Sequence, residues 1–95
     1  MSTEEIKSIL ATHKNDLASK YGLASLAIFG SHVRGDQEPY SDVDILVEFE
    51  KPIGLKFVDL AEELENLLKL RVDLVSRGAI KARLWKYVER DLIYV

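Results

Sequence analysis

The chain has 95 residues, 47% of them hydrophobic and 31% charged, with a formal net charge of −3 and no cysteine. That length holds one domain, residues 1–95, around one core; the composition excludes a disordered chain, and the missing cysteine excludes disulfides, thiolate catalysis and cysteine-ligated zinc. The acidic balance gives no electrostatic reason for nonspecific nucleic-acid binding, no apolar run approaches the ~18 residues of a membrane span, and the acidic start MSTEEIKS is unlike a signal peptide, so a cytoplasmic protein is expected.

From Ser2 to about Lys20, Ile6, Ile9, Leu10, His13 and Leu17 keep the spacing of one helical face. Ser2 with Glu5 fits a capping box, and Gly22 stands where a helix C-terminal glycine belongs. His13 reads as a boundary residue of that face. The second half of LASLAIF (Leu23–Phe29) reads as a buried strand, although a buried helical turn has the same apolar signature. GSHVRGDQEPYS is a polar connection with two glycines and a proline, with room for one helical turn at Ser31–Val33. DVDILVEF (Asp42–Phe49) is a second strand. Pro52 and Gly54 punctuate, and an amphipathic helix runs from about Leu55 to Lys69 on Phe57, Leu60, Ala61, Leu64, Leu67 and Leu68, with Glu62, Glu63, Glu65 and Lys69 as its solvated side. RVDLVS (Arg71–Ser76) is a third short strand, Gly78 breaks the chain, and Ala79–Arg90 forms a last helix in which Trp85 and Tyr87 read as packing or partner-contact residues. LIYV at the end is an edge strand or a packed tail. The expected class is α/β (α+β), a small mixed sheet flanked by helices.

Asp42 and Asp44 are i and i+2 on a strand, so they project from one face while Val43 turns the other way. Two such carboxylates repel each other, and a divalent cation removes that cost. Mg²⁺ takes oxygen ligands and commonly uses one or two carboxylates together with substrate phosphates. Asp73, between Val72 and Leu74, is a third acid in an apolar strand. If its strand lies beside Asp42–Phe49, three carboxylates converge on a site able to hold two ions about 3.5–4 Å apart. Upstream, Gly30 permits close backbone approach to a ligand, Ser31 offers a hydroxyl and an amide, and Arg34 a fork of donors, which together suit phosphate. There is no Walker A sequence. Plainer readings stand beside these: strand-edge or helix-capping acids for Asp42 and Asp44, an exposed strand face for Asp73, turn residues for Gly30 and Ser31, a surface pairing with Asp36 or Glu38 for Arg34, and an exposed loop position for His32.

GSHVRG at 30–35 followed by SDVD at 41–44 resembles the signature of the DNA polymerase beta nucleotidyltransferase superfamily: glycine-serine, ten residues, then aspartate-x-aspartate. The short chain, the GSxxRG form and the lone third acid are similar to its smallest branch, the minimal nucleotidyltransferase (MNT) proteins, over nearly the whole length. The resemblance implies a polymerase beta-like core, with Asp42, Asp44 and Asp73 as ligands of two Mg²⁺ ions and Asp73 drawing the proton from the attacking hydroxyl. Gly30, Ser31 and Arg34 would contact the phosphates of ATP. It further implies attack on the α-phosphate with release of pyrophosphate, and a helical HEPN-type toxin as partner and AMP acceptor through a tyrosine, this chain acting as its antitoxin. An inert antitoxin that neutralises by contact, and a nucleotidyltransferase acting on RNA ends or a small molecule, are the alternatives. The apolar stretch LWKYVERDLIYV covers either the chain's own core or a second subunit, which leaves a homo-oligomer open.

Overall fold

The computed structural model describes residues 1–95. Helix α1 (Thr3–Tyr21) opens on the expected capping box: Ser2 Oγ accepts from the Glu5 N–H and Glu5 Oε1 from the Ser2 N–H, each at 3.1 Å. It closes at Gly22, whose φ of 68° lets its N–H return to the Ala18 carbonyl at 2.8 Å. Strand β1 (Leu23–Phe29) takes all of LASLAIF rather than its second half. A single turn, α2 (Ser31–Arg34), follows. Strand β2 (Val43–Phe49) begins one residue later than the alternation predicts and leaves Asp42 just outside it.

Helix α3 (Lys56–Leu68) connects β2 to strand β3 (Val72–Ser76). A 3₁₀ turn at Arg77–Ala79 comes next, then helix α4 (Ala82–Arg90) and strand β4 (Ile93–Tyr94). The last helix starts three residues after the expected Ala79, because Ile80 and Lys81 are extended, with ψ of 124° and 142°. The sheet has the order β3-β2-β1-β4; β1 is antiparallel to both neighbours, and β2 and β3 run parallel. The parallel pair needs a crossover, which α3 supplies.

One face of the sheet makes the core. Val43, Ile45 and Val47 of β2 and Leu26 and Ile28 of β1 pack with Ile6, Leu10 and Leu17 of α1 and with Leu60, Leu64 and Leu68 of α3. All of these are within 1% of full burial. Strand alternation sends Asp44 and Leu46 to the second face, beside their β1 partners Phe29 and Ala27. Helix α4 lies over that second face, and Leu84 and Val88 share a cavity lining there with Phe29 and Val75. No helix is long and apolar enough to cross a membrane.

The acidic side of α3 is not simply solvated. Glu63 Oε1 accepts from Tyr21 Oη at 2.7 Å and from Lys20 Nζ at 2.9 Å, which ties α3 to the end of α1. Glu65 Oε2 accepts from the Val72 N–H at 2.9 Å and so holds the first residue of β3.

Leu64→Ala is expected to lower unfolding stability by about 2–5 kcal/mol, since a fully buried leucine leaves both lost transfer energy and a cavity. Val58→Ala on the same helix, 54% exposed, should stay within about 0.5 kcal/mol. Urea unfolding of both variants checks the pair; equal losses would mean that α3 does not present its core face as described.

Candidate active site

Three strands place the acidic residues. In the β1–β2 register Phe29 faces Asp44, and in the parallel β2–β3 register Asp44 faces Asp73. Asp44 and Asp73 therefore stand side by side on the face opposite the core. Gly30, directly after Phe29, closes the other flank of Asp44. Its backbone has φ 80° and ψ −150°, and a Cβ built there would lie 2.9 Å from Asp44 Cγ and closer still to Oδ2. Glycine is required at this position twice over, by the backbone conformation and by the carboxylate resting on it.

The crowding has an electrostatic result. Burial first, then the charge of Asp73 and a hydrogen bond with it, then Asp42, push the Asp44 carboxyl up to about 6, with Arg34 acting in the opposite direction. The Asp44 carboxyl thus keeps its proton to higher pH than an ordinary carboxyl does, and a cation would substitute for it.

Asp42 is held differently. Its Oδ1 pairs with Arg71 Nε at 3.1 Å, while Arg71 Nη2 donates to the Tyr40 carbonyl at 2.8 Å. Arg71 ends the α3–β3 connection, and its carbonyl accepts from the Val43 N–H at 2.9 Å, so one residue clamps the entry to β2 by side chain and main chain together. Both side chains of the pair are open to water, 72% for Arg71 and 45% for Asp42, and such a pair contributes only about 0–1 kcal/mol. With Asp42 turned to Arg71, no three acids gather tightly enough to share one ion. The sequence contained Arg71, but nothing in its spacing pointed across a strand pair to Asp42.

The glycine-serine turn is fixed from behind. Gly30 O accepts from the N–H groups of both Val33 and Arg34 at 3.1 Å, and Ser31 O accepts from Gly35 at 2.9 Å. His32, expected on an exposed loop, is instead buried, 7% exposed. The α2 turn folds its ring inward, and Thr3 Oγ1 donates to the His32 carbonyl at 2.6 Å, which fastens the turn to the start of α1. Burial lowers the His32 pKa, with the positive amino terminus adding to the fall and the Asp42 backbone opposing it. Its Nδ1 has no hydrogen-bond partner. Arg34 reaches Asp36 at 3.2 Å, the surface pairing left open by the sequence, and also Asp91 just past α4 at 2.8 Å, which sequence distance concealed.

The donor set fits magnesium: oxygens only, from the paired carboxylates of Asp44 and Asp73, the first held above its ordinary value by burial and then by the charge of the second. Asp42 would join after exchanging Arg71 for the ion.

The profile of the nucleotidyltransferase domain family matches residues 10–95. The protein adenylyltransferase MntA of Thermococcus cleftensis is 49% identical over 96 residues, covering 100% of this chain and 97% of the relative. Among solved structures, one provisionally described as a minimal nucleotidyltransferase superposes with a TM-score of 0.77 at 33% identity, over 100% of this chain and 97% of its own. A toxin–antitoxin complex with AMP-PNP superposes with a TM-score of 0.71 at 26% identity, over 87% and 69%.

Two outcomes follow from the crowding. Between the ordinary carboxyl value of 3.8 and about 6, the folded chain binds more protons than the unfolded one, so Asp44 destabilises the fold as pH rises through that window. Without divalent metal, Asp44→Asn should raise stability at pH 7.5 by about 1–2 kcal/mol, a value discounted for partial solvent screening, and the gain should fade as pH falls toward 4; denaturant melts at several pH values read both, and a pH-independent difference would contradict the raised Asp44 value. Gly30→Ala should cost about 1–3 kcal/mol through its backbone conformation alone. Gly35→Ala, with a similar φ of 81° and nothing within 4 Å of an added Cβ, should cost less than Gly30→Ala; equal thermal shifts for the two alanines would remove the Asp44 contact as a reason for glycine at 30.

Proposed function

The chain belongs to the nucleotidyltransferase domain family, and from that premise we propose that it is a Mg²⁺-dependent protein adenylyltransferase that moves AMP from ATP to a tyrosine hydroxyl of a HEPN-type toxin and so acts as its antitoxin. The observation that carries the chemistry is the matched register of Asp44 and Asp73 with Gly30 against their flank. The naming of the Thermococcus relative as a protein adenylyltransferase, and the toxin–antitoxin complex with AMP-PNP among the structural neighbours, support the acceptor class and the nucleotide.

In this reading Asp42, Asp44 and Asp73 hold two Mg²⁺ ions, and the Gly30–Ser31 turn with Arg34 holds the β- and γ-phosphates. Arg34 lends charge there while its bond to Asp91 keeps α2 against the end of α4. Bound magnesium supplies the positive charge that offsets charge developing on the phosphoryl oxygens. Asp73, exposed on β3, takes the proton from the acceptor hydroxyl. The oxygen so freed bonds to the α-phosphorus as the bond to the bridging oxygen breaks, and pyrophosphate leaves toward Gly30 and Ser31. Asp44 has to be ionised to take a metal ion, and its carboxyl sits at about 6 in the metal-free chain, so protons compete with the ion and the Mg²⁺ needed for half-maximal rate should rise as pH falls through that value.

Intact mass spectrometry of the HEPN-type partner, incubated with this chain, ATP and Mg²⁺, tests the reading. A gain of one or more AMP units is expected, absent with the Asp42→Asn/Asp44→Asn double variant and with EDTA. An unmodified partner held in a stable complex would instead establish neutralisation by contact.

A further inference from the structure

The loop between α2 and β2 mounts an exposed tyrosine on a rigid support. Glu38 and Ser41 close a turn: the Ser41 N–H donates to the Glu38 carbonyl at 3.0 Å, and the Glu38 N–H to Ser41 Oγ at 2.8 Å. Pro39 and Tyr40 are its two corner residues, and proline suits the first corner because its φ is already set. Arg71 Nη2 donates to the Tyr40 carbonyl at 2.8 Å, so the main chain of the turn is held from outside as well. The side chain is left free, 84% exposed. The same guanidinium pairs through Nε with Asp42 Oδ1 at 3.1 Å, which sets the phenol at the rim of the acid cluster, one arginine away from Asp42.

We propose that Tyr40 is itself an acceptor, and that this chain transfers AMP to its own Tyr40 hydroxyl. The inference rests on the adenylyltransferase reading above and adds a second protein acceptor to it. The phenolic oxygen bonds to the α-phosphorus of ATP as the bond from that phosphorus to the bridging oxygen breaks. The phenol proton goes to the Asp73 carboxylate, and pyrophosphate leaves. Presentation to the acids of a second copy gives the same product, so the assignment does not require the ring to fold back onto its own site. The product is a phosphodiester with a single negative charge, and the cations to receive it are in place: Lys69 and Arg71, both exposed, line the same hollow as Tyr40. The other three of the four tyrosines are less suited. Tyr21 is buried and its hydroxyl is engaged by Glu63. The Tyr87 ring lies beneath Lys86 and Arg90 at 5.4 and 5.5 Å. Tyr94 sits on β4, at the edge of the sheet opposite β3 and Asp73.

The test is intact mass spectrometry of this chain alone after incubation with ATP and Mg²⁺, with peptide fragmentation to locate the modification. The chain should gain an AMP unit, and the gain should map to Tyr40. Asp44→Asn should abolish it, which ties the product to this chain's own acids. Tyr40→Phe removes only an exposed hydroxyl and should fold as before; it should lose the gain and still transfer AMP to the HEPN-type partner. A gain that persists in either variant, or that maps to another residue, overturns the inference. So does an unmodified chain in a reaction where the partner gains AMP, and that outcome leaves the adenylyltransferase reading standing. If neither protein gains AMP, that reading falls and the assignment of Tyr40 with it.

Discussion

Asp44 and Asp73 face each other across a parallel strand pair, and the architecture around them can be read as what is needed to keep two like charges together. Strand pairing normally disfavours such an arrangement. Here the opposite side of the same strands carries Val43, Ile45 and Val47 of β2 with Val72 and Leu74 of β3, all packed in or against the core. Burial of those side chains fixes the register, and the alternation of a strand then leaves the acids no other neighbours. The stability lost at Asp44 to burial and to the neighbouring charge is offset from the far side of the sheet, where α1 and α3 contribute seven fully or nearly fully buried side chains.

The loop residues act on the same pair from its flanks. Gly30 lets the Asp44 carboxylate settle against the main chain, Arg71 holds Asp42 aside, and Glu65 captures the β3 backbone at Val72. The turn bearing Gly30 and Ser31 is itself fastened to α1 through Thr3 and, through Arg34, to the segment after α4. The acids are thus braced from α1, from α3 and from the segment after α4.

Local periodicity was enough to read most of the elements, because helix faces and strand alternation are properties of neighbours in sequence. The capping box at Ser2, the shared face of Asp42 and Asp44, and the apolar stripe of α3 all belong to that class. Asp73 was recognisable by its setting, an acid between Val72 and Leu74, but its place opposite Asp44 depended on strand order. What escaped was long-range: Arg71 against Asp42, Asp91 against Arg34, Glu63 against Tyr21. These pairs join residues 29 to 57 positions apart, and no spacing rule reaches that far. His32 was misread for a related reason, since a polar residue between two glycines looks like exposed loop until the α2 turn folds its ring inward. The late start of α4 came from Ile80 and Lys81, whose extended backbone interrupts an otherwise helical pattern.

The parallel register also constrains how this chain can change over time. Side chains along a strand alternate with a period of two, so a deletion or insertion of a single residue taken up within β3 would turn Asp73 into the core and bring Leu74 out beside Asp44. Substitutions on the exposed side of α3 leave that count untouched. For the segment between Phe49 and Asp73, descent can therefore rewrite much of the spelling but little of the phase: an odd-numbered slip in β3 erases the acid pair in one event, where many point changes would not.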